Sequence, residues 1–127
     1  MTPLLHNVTK DAHRAYGTTR VVLLVGRLAI KVPAITEWRL FLLGLLANMQ
    51  EVKWSAAGFP ELCPVLWSIP GGFLVVMHRA RVLTDEEFVA LDMKAWLDRG
   101  DYMVPAECKA DSFGYVEGRL VAVDYGN

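Results

Sequence analysis

Three charged residues stand in otherwise apolar stretches of the sequence. Lys31 lies in the run LAIKVP, Glu51 lies in a long apolar segment, and Asp124 directly follows the run LVAV. An ammonium group and carboxylates are the side chains that proteins use to bind phosphates and metal ions. Each residue also has an ordinary alternative: a solvated strand lysine, a solvated helix glutamate and an aspartate in a strand-ending turn.

Histidine and cysteine predict no further chemistry. His6, His13 and His78 lack metal-ligand spacing, and Cys63 and Cys108 lie far apart in the sequence. We therefore expect no structural zinc site. Neither cysteine comes with an identifiable base, so a thiol nucleophile is not expected either. Cys63 is predicted to be a small core residue.

The elements that must position the charged residues begin with a hairpin. From residue 19 onward, two runs rich in β-branched residues flank Gly26-Arg27, which predicts antiparallel strands joined by a tight turn. In the second strand Ala29 and Lys31 share one face, while Ile30 and Val32 share the other. We expect the apolar face to pack inward. Lys31 would then project from the opposite face, where Ala29 leaves room above the sheet.

A long amphipathic helix is predicted next. Apolar residues recur at steps of three and four from Trp38 onward, which is typical of a helix with one apolar stripe. Thr36 is a suitable N-cap, with Glu37 in the first turn. The helix is expected to end at about Ala57, where Gly58 is a natural stop.

The rest of the chain predicts strands and short helices. A second strand pair, expected to be covered on both faces, surrounds the turn at residues 70–72. Thr84 and Glu87 fit a capping box that starts a short helix, and Asp92 is a candidate cap for another turn. Glu117-Gly118 predicts the turn of a final hairpin. The order β-β-α-β-β-α-β-β predicts an α+β fold: an antiparallel twisted sheet, one main packed helix, a short helical appendage and a C-terminal hairpin.

Composition bounds the function classes. The 127 residues fit one domain, 1–127, in which residues 1–15 are expected to be loose. A hydrophobic fraction of 54% excludes intrinsic disorder. The net charge of −1 argues against nucleic-acid binding and against an anionic-membrane anchor. Two cysteines, no signal peptide and no apolar run long enough to cross a bilayer predict a cytoplasmic protein.

The order of elements, with the residues at its turning points, resembles the protein-kinase fold over residues 16–127. Leu28-Ala29-Ile30-Lys31 is similar to the V-A-I-K strand. The segment ECKADS, residues 107–112, lies over the catalytic-loop pattern D-L-K-P-x-N. The run VAVDYG, residues 121–126, resembles the apolar strand that leads into D-F-G.

The resemblance implies roles for these residues. Lys31 would pair with the nucleotide phosphates and with a helix glutamate, Glu51, which lies 20 residues later; Glu37 is the alternative partner. Asp124 would hold Mg²⁺ together with Ser112, and Glu107 would stand at the catalytic base. The other nucleotide-site residues that the resemblance implies are Gly17, Ala29, Met77 (as the gate to the back of the pocket), Arg79 and Lys109.

The sequence also departs from the kinase pattern. The base position has Glu107 in place of aspartate, and no His-Arg pair precedes it. Ser112 replaces the metal-binding asparagine and is a poorer Mg²⁺ ligand. Gly17 is the single glycine where a glycine-rich loop is expected. The kinase pattern places an activation segment and a large helical lobe after Asp124, and we expect this chain to lack both.

These departures favour a non-catalytic kinase-like module that acts through protein–protein interaction, with nucleotide binding as an option. The alternative is a minimal ATP/Mg-dependent phosphotransferase that uses Lys31, Glu51 and Asp124. A missing large lobe exposes apolar surface, so we expect a homodimer or a protein partner. The small size also suits a phage or mobile-element inhibitor of a host process.

Overall fold

A four-stranded antiparallel sheet forms the amino-terminal part of the computed structural model, which describes residues 19–126. Gly17 and the segment 1–15, which was expected to be loose, lie outside the described residues. The strand order in the sheet is β1-β2-β4-β3. The strands are β1 (Arg20–Val25), β2 (Leu28–Pro33), β3 (Val65–Ile69) and β4 (Leu74–His78).

The predicted hairpin between β1 and β2 is confirmed. Gly26 adopts a φ of 59°, the left-handed conformation that a tight hairpin turn requires and that glycine adopts without strain. The register pairs Arg20 with Pro33 and Val22 with Lys31. Because residues directly opposite each other project from the same face of an antiparallel pair, Arg20 and Lys31 lie on one face of the sheet.

Helix α1 (Trp38–Ala56) packs across that face. Its extent agrees with the amphipathic pattern, and Gly58 follows it with a φ of 83°. The N-cap prediction was wrong: the cap residue is Glu37, not Thr36, and its side chain makes no capping hydrogen bond. The first residues of the helix, Trp38 and Arg39, are exposed.

The predicted orientation of β2 was also wrong. Ala29, Lys31 and Pro33 form its buried face, whereas Leu28 on the other face is exposed. The alternation of residues was correct, but α1 and the end of the chain cover the face that carries Lys31. The space above Ala29, beside Lys31, is therefore covered by the chain and not filled by solvent.

The strand pair β3–β4 does not have the predicted cover on both faces. In β4, Val75 and Met77 are buried in alternation with half-buried residues. In β3, Leu66 and Trp67 are exposed. β3 is an edge strand of the sheet, and packing within the described residues does not account for its exposed apolar side chains.

The carboxy-terminal part forms a second, three-stranded antiparallel sheet, in the order β5-β6-β7. The predicted hairpin and its Glu117-Gly118 turn are confirmed, whereas the two-residue β5 escaped prediction because it has no pattern of its own. The capping box of Thr84 and the cap at Asp92 are both present. The elements are β5 (Arg81–Val82), α2 (Asp85–Ala90), α3 (Met93–Leu97), a 3₁₀ turn (Ala110–Ser112), β6 (Phe113–Val116) and β7 (Arg119–Ala122).

One cluster of buried apolar side chains joins the two sheets. It includes Val75 and Met77 from the first sheet and Phe113 and Val121 from the second. Cys63 belongs to the same cluster, as predicted. Within residues 19–126, no helix has both the length and the apolar character needed to cross a bilayer.

Candidate functional site

Lys31 and Glu51 form an ion pair between the sheet and α1. The Lys31 ammonium donates to both carboxylate oxygens of Glu51, at 3.0 and 2.9 Å, and also to the carbonyl of Val123. Lys31 is 5% exposed and Glu51 is completely buried. Glu51, and not the exposed Glu37, is therefore the partner of Lys31.

Arg20 joins this pair to the end of the chain. Its guanidinium lies 2.8 Å from an oxygen of Glu51 and 2.6 Å from Oδ1 of Asp124. It also donates to the side chain of Asn48 at 3.1 Å. Lys31 and Asp124, 93 positions apart in the numbering, are thus connected through Glu51 and Arg20 in turn. We call Arg20, Lys31, Glu51 and Asp124 the charge cluster.

Sequence analysis missed Arg20, although a signal was present. The Gly26-Arg27 turn determines the hairpin register, and that register places Arg20 on the same face as Lys31. A face that is expected to be open to solvent gives no reason to assign a role to Arg20. Apart from the register, nothing in a single sequence distinguishes a buried arginine at the start of a strand from an exposed one.

Polar groups of α1 and of the chain end complete the surroundings. Asn48, one helical turn before Glu51, donates to the carbonyls of Lys31 at 3.1 Å and Gly72 at 2.9 Å. The backbone N–H of Tyr125 donates to Glu51 at 3.0 Å. The Glu51 carboxylate thus accepts from Lys31, from Arg20 and from the backbone, which is how a buried carboxylate avoids a large desolvation cost.

Close backbone approach holds these parts together. A Cβ added at Gly126 would lie 2.3 Å from the carbonyl oxygen of Ala47 and 2.8 Å from Cγ of Glu51. One added at Gly44 would lie 2.3 Å from the carbonyl oxygen of Thr19. The two glycines let the end of the chain and the sheet contact α1 at backbone distance.

Burial and neighbouring charges shift the pKa values within the cluster. Burial lowers the pKa of Lys31, an effect that Glu51 opposes only in part. Burial alone would raise the pKa of Glu51, but Lys31 and Arg20 together hold it below its ordinary value. For Arg20, Glu51 and Asp124 overcome the effect of burial and raise the pKa. By residue type, the cluster places two basic side chains opposite two carboxyl groups.

The catalytic-loop residues lie partly beside the cluster. The carbonyl of Ser112 accepts from the backbone N–H groups of Val123 at 2.8 Å and Asp124 at 3.4 Å, so Ser112 and Asp124 are neighbours. Ser112 Oγ is buried and has no hydrogen-bond partner within the described chain. Glu107 and Lys109 are exposed and pair with each other at 3.2 Å. The hydrogen bond to Glu107 is the main cause that raises the pKa of Lys109, and the charges of Asp111 and Asp124 add to it.

The remaining predicted site residues lie elsewhere in the described chain. Ala29 and Met77 are paired neighbours on β2 and β4 and are buried. Arg79 is exposed, and its backbone N–H donates to the carbonyl of Arg27 at 2.8 Å. Ala29 and Met77 belong to the core, while Arg79 lies on the surface.

The donor set does not fit a resident Mg²⁺ ion. Mg²⁺ requires near-octahedral oxygen ligands at short distance. Asp124 Oδ1 already contacts the Arg20 guanidinium, and Ser112 offers one neutral oxygen. Within residues 19–126, no three His, Cys, Asp or Glu side chains converge as a metal site. The cation that contacts Asp124 is the guanidinium of Arg20.

Two small clefts lie apart from the charge cluster. One, of about 220 Å³, adjoins the loop after α1 and is lined in part by Phe59 and Arg119. The other, of about 150 Å³, adjoins Cys63 and His78. Each is smaller than the roughly 300–1,000 Å³ typical of small-molecule sites. Neither is lined by a residue of the charge cluster.

Exposed apolar residues of α1 form a second candidate feature. The four tryptophans were predicted to lie in the core or in interfaces, and two of them are largely exposed, Trp38 at 71% and Trp67 at 60%. Trp67 and Ile69 pair with Val76 and Leu74, so they project from the sheet face opposite α1 and lie apart from the helix. The outer face of α1 carries an apolar surface of its own. This apolar surface comprises Trp38, Leu42, Leu46 and Met49 of α1.

Comparison of the chain with protein-family models, with curated proteins and with solved structures gives no match.

Proposed function

We propose that this chain is a non-catalytic, kinase-like binding module that acts through contact with another protein. The resemblance to the protein-kinase fold rests on the order of Lys31, Glu51 and Asp124 along the chain. The observed order of elements supports it: a sheet, a helix that pairs with the lysine strand, and a hairpin that leads into Asp124. A cytoplasmic location suits two free cysteines, one buried and one exposed.

The Arg20 guanidinium carries the non-catalytic part of the proposal. In a kinase-type site the lysine and the aspartate serve the nucleotide phosphates and the metal ion. Here Arg20 contacts Asp124 at 2.6 Å and Glu51 at 2.8 Å, while Lys31 donates to Glu51 and to Val123. These groups satisfy one another, so the cluster works as an internal joint between sheet, helix and chain end.

The loop before the 3₁₀ turn supports the same conclusion. A general base must reach the proton that it removes, in a geometry held by its surroundings. Glu107 is 61% exposed at its side chain and pairs with Lys109, which is itself exposed. Two long, solvated side chains of this kind are suited to the surface rather than to proton transfer.

The minimal phosphotransferase is the second candidate, and two observations favour it. The Asp124 side chain keeps 29% exposure, so one of its faces remains open. The unpartnered Ser112 Oγ lies in the residue whose carbonyl accepts from the Asp124 backbone. Mg-nucleotide would have to displace Arg20 from Asp124 in order to bind. This candidate therefore predicts that nucleotide raises the thermal stability of the protein, which the first candidate does not predict.

Thermal unfolding with ATP and Mg²⁺ separates the two candidates. A ligand present at a hundred times its Kd adds about 2.7 kcal/mol of stability, which raises the Tm of a small domain by several degrees. The proposal expects no such rise with ATP, ADP or GTP, and no transfer from γ-labelled ATP to protein or water. A rise and a turnover that are both lost in Asp124→Asn, but kept in the exposed control Asp111→Asn, would replace it with the phosphotransferase.

A further inference from the structure

We infer that the apolar surface is the docking site for an amphipathic helix whose apolar stripe is flanked by acidic residues. This inference rests on the proposed function, because a module that acts by contact needs a face through which to act. It adds the location of that face and the chemistry of the partner. The apolar residues supply the first part of the argument, and the charges around them supply the second.

The shape of the surface suits a helix. Trp38, Leu42, Leu46 and Met49 follow one another at steps of four, four and three along α1, which makes a straight ridge of about three turns. The side chains of a second helix pack against such a ridge, because the ridge of one helix fits into the groove of the other.

The charges around the surface are positive. Within α1, the exposed charged side chains are Arg39 and Lys53, and Glu51 is buried in the charge cluster. Glu37, just before the helix, is one carboxylate against two cations. A partner with carboxylates beside its apolar stripe would therefore be complementary in charge.

A second copy of this chain fits less well. A two-fold pairing of α1 with itself about Leu46 would bring Arg39 of one copy opposite Lys53 of the other, since both lie seven positions from that centre. Like charges at an apolar contact oppose association. An anionic lipid surface also fits less well, because helices that lie on membranes have a polar face rich in lysine and arginine, and α1 exposes only these two.

Two synthetic peptides of 18 residues provide the test. Both have leucine at helical spacing, with glutamate at the flanking positions in one peptide and lysine in the other. Fluorescence anisotropy of each labelled peptide against the full chain at low salt gives the two Kd values. We expect the glutamate peptide to bind about fivefold to tenfold more tightly, with the difference shrinking at high salt.

Variants of the chain connect the binding to the surface. Leu46→Glu should weaken the glutamate peptide at least about tenfold, since it places a carboxylate in the centre of the contact. Val89→Glu is the matched control: Val89 is 82% exposed on α2 and lies outside the apolar surface, so binding should not change. The double substitution Arg39→Glu and Lys53→Glu should reverse the preference between the two peptides.

Four results would overturn the inference. They are equal binding of both peptides without salt dependence, binding that Leu46→Glu leaves intact, a light-scattering mass of two chains that Leu46→Glu reduces to one, and Leu46-dependent binding to phosphatidylglycerol vesicles in preference to the peptides. The proposed function fails separately. Nucleotide turnover would refute it whatever the peptides do, whereas failure of the peptides together with silence toward nucleotide would leave a binding module with a different docking face.

Discussion

The two faces of α1 invert the usual arrangement of a surface helix. Its buried face carries Glu51, Asn48 and two small residues, Gly44 and Ala47, while its outer face carries leucines and a methionine. A helix of a globular domain normally buries its apolar stripe and exposes its charges. Here the amphipathic pattern that predicted the helix correctly identified its period, but the apolar side faces away from the sheet.

The inversion separates two functions within one helix. The inner face makes charged and polar contacts whose partners must be in place, and these define how sheet, helix and chain end meet. The outer face has large apolar area but no partner within residues 19–126. We therefore expect the stability of the fold to depend strongly on the inner face of α1 and little on its outer face.

The largest effect is expected from Glu51→Ala. This change leaves Lys31 and Arg20 buried next to each other without their shared carboxylate, and breaking a buried ion pair in this way costs about 3–5 kcal/mol. Urea unfolding followed by circular dichroism measures the loss. The neighbouring exposed residue provides the control, since Gln50→Ala should change the free energy of unfolding by less than about 0.5 kcal/mol. Equal losses for the two variants would show that the cluster does not stabilise the fold.

Acid should weaken the same joint. Lys31 and Arg20 hold the pKa of Glu51 below its unfolded value, although burial acts in the opposite direction. The stability that Glu51 contributes is therefore complete above the unfolded pKa of about 4.3 and declines as the pH falls through the folded pKa. The urea midpoint should drop below about pH 4 in the wild type, and Glu51→Gln should flatten that part of the profile. An unchanged profile in Glu51→Gln would assign the acid sensitivity to other carboxylates.

The sequence predicted the elements better than their orientation. Turn residues such as Gly26 and Glu117-Gly118, and the Thr84 cap, act through local backbone conformation, so a single sequence reveals them. Which side of β2 is covered depends on α1, whose position is a tertiary property. The alternation around Lys31 is the same in either case, and the wrong face was chosen because an apolar side usually packs inward.

The candidate site was predictable only in part, for a similar reason. Lys31, Glu51 and Asp124 were found through a resemblance in which lysine, glutamate and aspartate occur in a set order, and the structure brings these three together around Arg20. Arg20 has no place in that pattern. Its role emerges only when the register of β1 and the position of the chain end are both known.

The contact between the chain end and α1 provides a smaller test of the inner face. Gly126→Ala would place a methyl group against the carbonyl of Ala47 and against Glu51. The backbone of a packed helix cannot shift far enough to relieve this overlap. We expect a loss of about 1–3 kcal/mol in the free energy of unfolding. Gly118→Ala is not a suitable control because that residue has a φ of 78°. Ala57→Ser, at the exposed end of α1, supplies a neutral reference.

The smallest effect is expected on the outer face. Leu46→Ser removes a large apolar side chain that is 48% exposed, and an exposed substitution changes the free energy of unfolding by about 0.5 kcal/mol or less. Val75→Ala, a truncation in the buried core, should cost several times more. Urea unfolding of both variants decides the matter. If Leu46→Ser lost as much stability as Val75→Ala, the outer face of α1 would be part of the fold itself, and its leucines would need no partner to explain them.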